Sequence, residues 1–340
     1  MSCKLSVLDQ SPVVSGASPV DAIAATIELA RRADELGYYR YWLAEHHAMA
    51  ALADAAPEVL LARLTAATSR IRLGTGGIML PHYSALKVAE AFRMLEALAP
   101  GRIDLGVGRA PGGMGLVSAA LESRDVSTFP EQILETIGYL DRTTASHSPF
   151  APLTAMPSGI TSPEVWLLGS SDYGAALAAD LGLPYAYAHF ISSDAPALTA
   201  AYRQRFRPSA RNTQPRVAIA LAALIAPTDE EAATLALPIA LWRMRLLRGS
   251  AGPFPSLEEA RNYPWTPLER HEVARTARMT AGSPQTVRRR IETIVEQHEA
   301  DEVVVVTIAP DYASRLRSYE LLADAFALER PTVQLTGTSA

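Results

Sequence analysis

The stretch YRYWLAEHHAMA, residues 39–50, is an apolar and aromatic run that ends in Glu45-His46-His47. An imidazole whose unperturbed pKa lies near about 6.5 moves protons at neutral pH, so a histidine at the exit of a buried strand is a proton-transfer group or a hydrogen-bonded structural residue. Neighbours on an extended chain point to opposite sides, so His46 and His47 do not share one centre and one of them is structural. Glu45 then orients a neighbour or pairs with an arginine. In LLGSSDYGAALAADLG, Gly169-Ser170-Ser171 stand between an apolar run and a helical pattern. Free N–H groups at a helix start, two hydroxyls and a glycine that permits close approach suit an anion, most often a phosphate. The competing reading is plain N-capping by Ser171 or Asp172. Asp172 would repel a phosphate and is expected to face solvent.

Two glycine-rich stretches add to this. IDLGVGRAPGGMG places Gly106, Gly108, Gly112 and Gly113 around Arg109, but its spacing is not the G-x-G-x-x-G that opens a dinucleotide-binding helix. Arg109 binds a phosphate through its planar fork or makes a salt bridge at a rim. In LGTGGIMLP, the pair Gly76-Gly77 leaves an apolar run, where two glycines allow a backbone to pass close to a flat ligand or to make a bare turn. Trp42 and Met79 beside these exits are expected in the core.

The elements that position these residues alternate along the chain. Strand candidates are Leu5–Leu8, Arg40–Ala44, Ile71–Leu73, Ile103–Val107, Val165–Leu168, Tyr185–Ala188, Val217–Leu224 and Glu302–Val306, mostly the continuous apolar runs of strands buried on both faces. Helical patterns lie between them: residues 20–36 up to Gly37, then Pro57–Thr68, Leu86–Leu98, Glu131–Asp141, Tyr173–Leu181, Pro196–Phe206, Asp229–Leu247 and Ala313–Ala327, with an extra helix at Pro284–His298. Eight strand–helix units predict a TIM (β/α)8 barrel in one domain over residues 1–330, with its active site at the strand ends. Those ends are polar: Asp9-Gln10-Ser11, Glu45-His46-His47, Gly74-Thr75-Gly76-Gly77, Gly108-Arg109, Gly169-Ser170-Ser171 and His189. Thr143–Pro163 reads as a long loop. Gly249–Pro284, which holds five prolines, reads as a lid-like insertion before the last strand, and residues 331–340 as a flexible tail.

Composition restricts the function. The chain has 340 residues, 49% of them hydrophobic and 20% charged, enough for one large packed core. A net charge of -5 provides no field for nucleic acid or an anionic membrane, so the partner is a small molecule. With Cys3 as the one cysteine there is no intramolecular disulfide, no signal-peptide core precedes the first strand, and no apolar run reaches the roughly 20 residues of a spanning helix. A cytoplasmic protein with no metal is expected.

Taken in order, SVLDQSPV, LGYYRYWLAEHH, the run from IRLGTGGIMLP to LGVGRAPG, LLGSSDYGAALAADLGLPYAYAHF and ADEVVVVT with RLRSYELLA resemble the bacterial-luciferase-like flavin-dependent monooxygenases, in particular the alkanal-monooxygenase-like branch, over nearly the whole chain. The resemblance implies an FMN-dependent barrel in which His46 acts in proton transfer beside the flavin. It implies cofactor binding by Thr75, Gly76, Gly77, Arg109, Ser170, Ser171, Tyr173 and Gly174, with Arg109, Ser170 and Ser171 on the phosphate and a cis peptide at Gly76-Gly77 under the isoalloxazine. The expected reaction uses reduced FMN and O2 to oxygenate a small organic substrate through a flavin C4a-(hydro)peroxide, with a separate flavin reductase supplying the cofactor, residues 249–284 as the mobile lid and a homodimer as the assembly. Luciferase has a reactive cysteine where Gly108 stands, so light emission does not carry over. The alternatives are a deazaflavin (F420)-dependent hydride-transfer oxidoreductase on the same barrel and a non-catalytic flavin-binding protein. A metal-dependent hydrolase built on His46, His47, His82 and His189 is a weaker rival, because the His-x-His of such barrels is missing from the first strand.

Overall fold

Each of the eight apolar runs forms a strand, and all eight pair in parallel around a closed ring. The computed structural model describes residues 3–109, 115–145, 148–192, 195–250 and 252–330. Gly112, Gly113 and the tail 331–340 lie outside the described residues. The barrel strands are β1 (Lys4–Asp9), β2 (Arg40–Leu43), β3 (Arg72–Thr75), β4 (Ile103–Gly108), β5 (Glu164–Gly169), β6 (Tyr185–Ala188), β7 (Val217–Ala222) and β8 (Glu302–Val306). Val7 lies opposite Tyr41 and Leu5 opposite Val303, so β1 joins β2 to β8. Leu73 opposite Ile103 completes the ring between β3 and β4. Parallel strands in a closed ring send all their starts to one end and all their ends to the other, which is why residues far apart in sequence meet.

The helices follow the expected pattern with small shifts at their ends. Pro19–Leu36 starts at a Ser18 capping box and stops at Gly37, whose φ of 89° lies in the left-handed region. The predicted single helix Asp229–Leu247 is two, Asp229–Leu235 and Leu237–Leu247. Pro238 has no N–H to donate back to the preceding turn, so the hydrogen-bond ladder breaks there. The segment from Gly249 to Pro284, expected as a lid-like insertion, has helices of its own. It folds into Leu257–Asn262 and Pro267–Thr280, capped by Ser256 and Thr266, with Pro267 in the first turn where a missing N–H has no consequence. The two-residue strand Ala281–Gly282 ties the segment to Leu224–Ile225. Such short strands, like Ile78–Met79 beside β4, leave no period in a sequence.

Charges at the strand starts neutralise one another. Arg40, buried at the start of β2, sets Nη1 2.6 Å from Asp104 of β4 and Nε 2.7 Å from Glu302 of β8. Burial alone would lower its pKa, but Asp104, Glu302 and Glu164 outweigh this and raise it. Above this layer Trp42 and Trp166 meet edge to face at 5.4 Å between ring centres, among Leu8, Ala186, Ala218, Ala220, Val304 and Val306. At the opposite end the buried Asp9 accepts hydrogen bonds from Arg315, the Tyr41 hydroxyl and the Ser11 amide, which fixes the exits of β1 and β2 to the last helix, Tyr312–Ala325. No helix among the described residues is long and apolar enough to cross a membrane.

Candidate functional site

The strand ends surround a cavity of about 370 Å³. That volume lies within the roughly 300–1,000 Å³ typical of small-molecule and cofactor sites. Its walls are mostly apolar, with Leu8, Trp42, Met79, Leu168 and Phe190 among them, and its polar groups are His46, Glu45, Gln10, Arg109, Ser170 and Ser171. Seven of the eight expected cofactor-binding residues line it: Gly76, Gly77, Arg109, Ser170, Ser171, Tyr173 and Gly174. Thr75 does not. Its hydroxyl donates to the Gly106 carbonyl at 2.9 Å and accepts from the Gly106 amide at 3.2 Å, so it clamps β3 to β4. Trp42 and Met79, expected only in the core, stand in the cavity wall as well.

His46 and His47 diverge as alternation requires. His47 turns away to Glu45, 2.6 Å from Oε1, and Glu45 also accepts from the Tyr83 hydroxyl at 2.7 Å and the Met79 amide at 2.9 Å. Glu45 therefore organises the β2 exit through a histidine, a tyrosine and a backbone amide, with no arginine in the group. His46 faces the cavity, its amide bonded to the Asp54 carbonyl at 3.0 Å, and its Nδ1 is buried without a hydrogen-bond partner among the described residues. Burial in these surroundings pushes its pKa down to about 4; the nearby His47 lowers it further and the Ala44 backbone opposes the shift. The imidazole at the mouth is thus neutral at pH 7. It is a neutral hydrogen-bonding group, which differs from the freely titrating imidazole that the sequence suggested.

Gly76 and Gly77 are joined by a cis peptide. A Cβ on Gly77 would stand 2.6 Å from the Gly106 carbonyl oxygen and 3.1 Å from the Val107 amide nitrogen, backbone atoms that cannot move aside, so only glycine fits. Gly108 is different, because a Cβ there would meet nothing nearer than 4.0 Å. Packing does not explain the missing cysteine.

Arg109 makes no salt bridge among the described residues; its guanidinium lies 4.2 Å from the ring centre of Tyr173. Aromatic stacking fixes such a fork without using its donors. Beside it, Ser171 precedes helix Asp172–Leu181 but makes no side-chain cap, and the Asp172 carboxylate, exposed as expected, accepts from the Tyr173 amide at 2.8 Å. Neither serine hydroxyl has a protein partner among the described residues. A cation, two free hydroxyls and a helix start on one rim, beside an apolar chamber with an orphaned imidazole nitrogen, match the phosphate, flat ring system and polar ring edge of a flavin. The residues present fit that group.

Among the described residues no three His, Cys, Asp or Glu side chains are placed to hold a metal ion. His47 and His82 meet edge on at 5.7 Å, whereas His189 lies 5.8 Å from His298. Sequence reasoning missed Tyr83, Phe190 and Asp54. The last is a carboxyl that burial raises to about 7. None of the three ends a predicted strand or carries a spacing motif.

Residues 3–301 match the family model described as luciferase-like monooxygenase. YwcH of Bacillus subtilis (strain 168) is 45% identical over 95% of this chain and 99% of its own length, and the N-acetyl-S-alkylcysteine monooxygenase of the same organism is 35% identical over 95% and 98%. The crystal structure of apo-MsnO8 superposes with a TM-score of 0.88 at 39% identity, covering 97% of this chain and 99% of that one. At lower identity the fold alone is shared with the oxygenating constituent of 3,6-diketocamphane monooxygenase in complex with FMN (19%, TM-score 0.70) and with an F420-dependent secondary alcohol dehydrogenase (16%, TM-score 0.64), each matched over 96% of this chain and 98% and 99% of theirs.

The depressed pKa has a measurable sign. Between pH 6.5 and about 4 the unfolded chain takes up a proton that folded His46 refuses, so its contribution to stability is complete above pH 6.5 and falls as the pH drops through that window. The loss is at most about 3 kcal/mol. In 15N-histidine-labelled protein, the His46 ring signals are expected to remain those of a neutral imidazole at pH 5.5; a midpoint near 6.5 would contradict the burial account.

Proposed function

The chain belongs to the luciferase-like monooxygenase family, and from that premise we propose that it is an FMN-dependent monooxygenase that uses reduced FMN and O2 to oxygenate a small organic substrate. The carrying observation is the unpartnered Nδ1 of His46 facing an apolar cavity whose rim holds Arg109, Ser170 and Ser171 without protein partners. Relatives with printed activities support it: an N-acetyl-S-alkylcysteine monooxygenase in sequence, and an FMN-bound oxygenating subunit in fold.

Bound reduced FMN supplies the electrons that activate O2 for transfer of one oxygen atom. The chain's own residues do the rest. Arg109, the hydroxyls of Ser170 and Ser171 and the start of helix Asp172–Leu181 bind the phosphate, and the Tyr173 ring holds the Arg109 fork ready. Gly76 and Gly77 present backbone without side chains to the flat ring, and Gly174 does so at the helix start. His46, neutral at working pH, accepts a proton at Nδ1 and returns it, while Glu45 keeps His47, Tyr83 and the Met79 amide in place behind it. Trp42, Leu168 and Phe190 keep water from the reacting atoms. The sequence carries no nicotinamide-binding fingerprint, so a separate reductase supplies the reduced cofactor.

A homodimer completes the reading. Val59, Met94, Leu98 and Leu134 are exposed on three helices packed side by side, Pro57–Thr65, Ala85–Leu98 and Phe129–Asp141, where a second copy would cover them.

Two measurements check these statements. Given reduced FMN, 18O2 and a panel of thioethers, aldehydes and ketones, the protein is expected to put one 18O atom into product, with His46→Ala lowering turnover by about 10²–10⁴ and leaving FMN affinity within a few-fold. Unlabelled product throughout, or full turnover by His46→Ala, would refute the assignment. In solution the mass is expected to be twice the 36.5 kDa of one chain and to fall to one chain in the double variant Met94→Glu, Leu98→Glu; a monomeric wild type removes the dimer.

A further inference from the structure

A second cavity, of about 260 Å³, adjoins the first, and Phe190 and Ile191 line both. A smaller space lined by Gln10, Phe190, Arg243 and Thr276 shares Gln10 and Phe190 with the first cavity and Phe190, Arg243 and Thr276 with the second, so Phe190 borders all three. The second cavity is walled by helix Leu237–Leu247, helix Pro284–His298 and the helix Pro267–Thr280 of the inserted segment. No described carboxylate lines it, yet Arg243, Arg275 and Arg290 do. Arg275 is paired with Glu272 at 2.9 Å. Arg290 donates a long 3.4 Å bond to the Ala281 carbonyl, and the one carboxylate that influences it, Asp229, is already held by the Ser283 amide at 2.6 Å and the Thr286 hydroxyl at 3.1 Å. Arg243 has neither a hydrogen bond nor an ion pair with any described residue, although it is largely withdrawn from solvent, and burial lowers the pKa of both guanidinium groups. A desolvated cation without a counter-charge is costly in an empty protein and favourable once an anion arrives.

We infer that Arg243, assisted by Arg290, receives the carboxylate of the organic substrate, whose apolar part passes Phe190 into the chamber of His46. The inference rests on the monooxygenase reading for the term substrate, but the anion site stands on its own residues. It gives the inserted segment a function: its helix Pro267–Thr280 closes the anion subsite through Thr276 and Thr280, and none of its residues touches the flavin-sized chamber. A neutral analogue of the same shape would leave the guanidinium unpaired, so the site selects acids over amides and esters.

The same carboxylate chemistry is offered by the oligoglutamate tail of a deazaflavin cofactor, and the experiment separates the two sources. The probes are 4-phenylbutanoate, 4-phenylbutanamide and F420, titrated calorimetrically into wild-type protein with and without bound FMN, into Arg243→Met and into Arg243→Lys. The wild type is expected to bind the acid at least about ten-fold more tightly than the amide, Arg243→Met to lose that preference while keeping FMN affinity, and Arg243→Lys to keep part of it. Equal binding of acid and amide by the wild type overturns the inference. So does a preference that survives in Arg243→Met, or a variant that loses F420 affinity while its acid preference is unchanged, which would assign the arginine to a cofactor tail. If Arg243→Met fails to fold, Arg290→Met and Arg243→Lys are read instead, and an undiminished preference in both overturns the inference. A protein that prefers the acid but incorporates no oxygen would keep the anion site and refute only the monooxygenase reading.

Discussion

Backbone hydrogen bonds between β3 and β4 close the ring, and everything chemical about this chain depends on that closure. An open sheet would spread the ends of eight parallel strands along an edge. A closed one gathers them over a single chamber and separates the molecule into two electrostatic regimes. At the strand starts three cations, Arg40, Arg72 and Arg216, balance three carboxylates, Asp104, Glu164 and Glu302, in one largely buried network. At the strand ends the donors and acceptors are left incomplete: the Nδ1 of His46, the fork of Arg109, the hydroxyls of Ser170 and Ser171. The buried Nδ1 is expensive to leave unpaired, and with the free fork and hydroxyls on the same rim it marks where a ligand supplies what the protein omits.

The apolar chamber has a second effect. The same desolvation that holds His46 neutral would strengthen any hydrogen bond it makes to a bound ring, because the local dielectric is low and competing water is scarce. Glu45 is close in sequence yet fully engaged with His47, Tyr83 and the Met79 amide, so its charge is spent in holding the loop. Adjacent residues thus do opposite work, one satisfied and one reserved, because a strand presents them to opposite sides.

How much of this was legible in the sequence follows from the range of the interactions involved. The eight strands were readable because each is a continuous apolar run, and the barrel followed from their alternation with helical periods. That His46, Arg109, Ser170 and Ser171 gather around one cavity was readable because a closed barrel brings its strand ends together. Which way the Thr75 hydroxyl turns was not readable, because the neighbouring strand decides it, here through Gly106. The helices inside the inserted segment were not legible because prolines at helix starts look like loop prolines until the caps at Ser256 and Thr266 are seen. The pKa of His46 and the isolation of Arg243 depend on what surrounds them in space, which no local spacing records.

The central claim is that the rim formed by Arg109, Ser170 and Ser171 is a phosphate site serving the chamber of His46. Titrating the apoprotein with FMN and with riboflavin, which differs by the phosphate alone, tests it most directly. The account requires FMN to bind at least about ten-fold more tightly than riboflavin, with the difference abolished in Arg109→Ala. Equal affinity for the two, or an FMN preference untouched by Arg109→Ala, would contradict it.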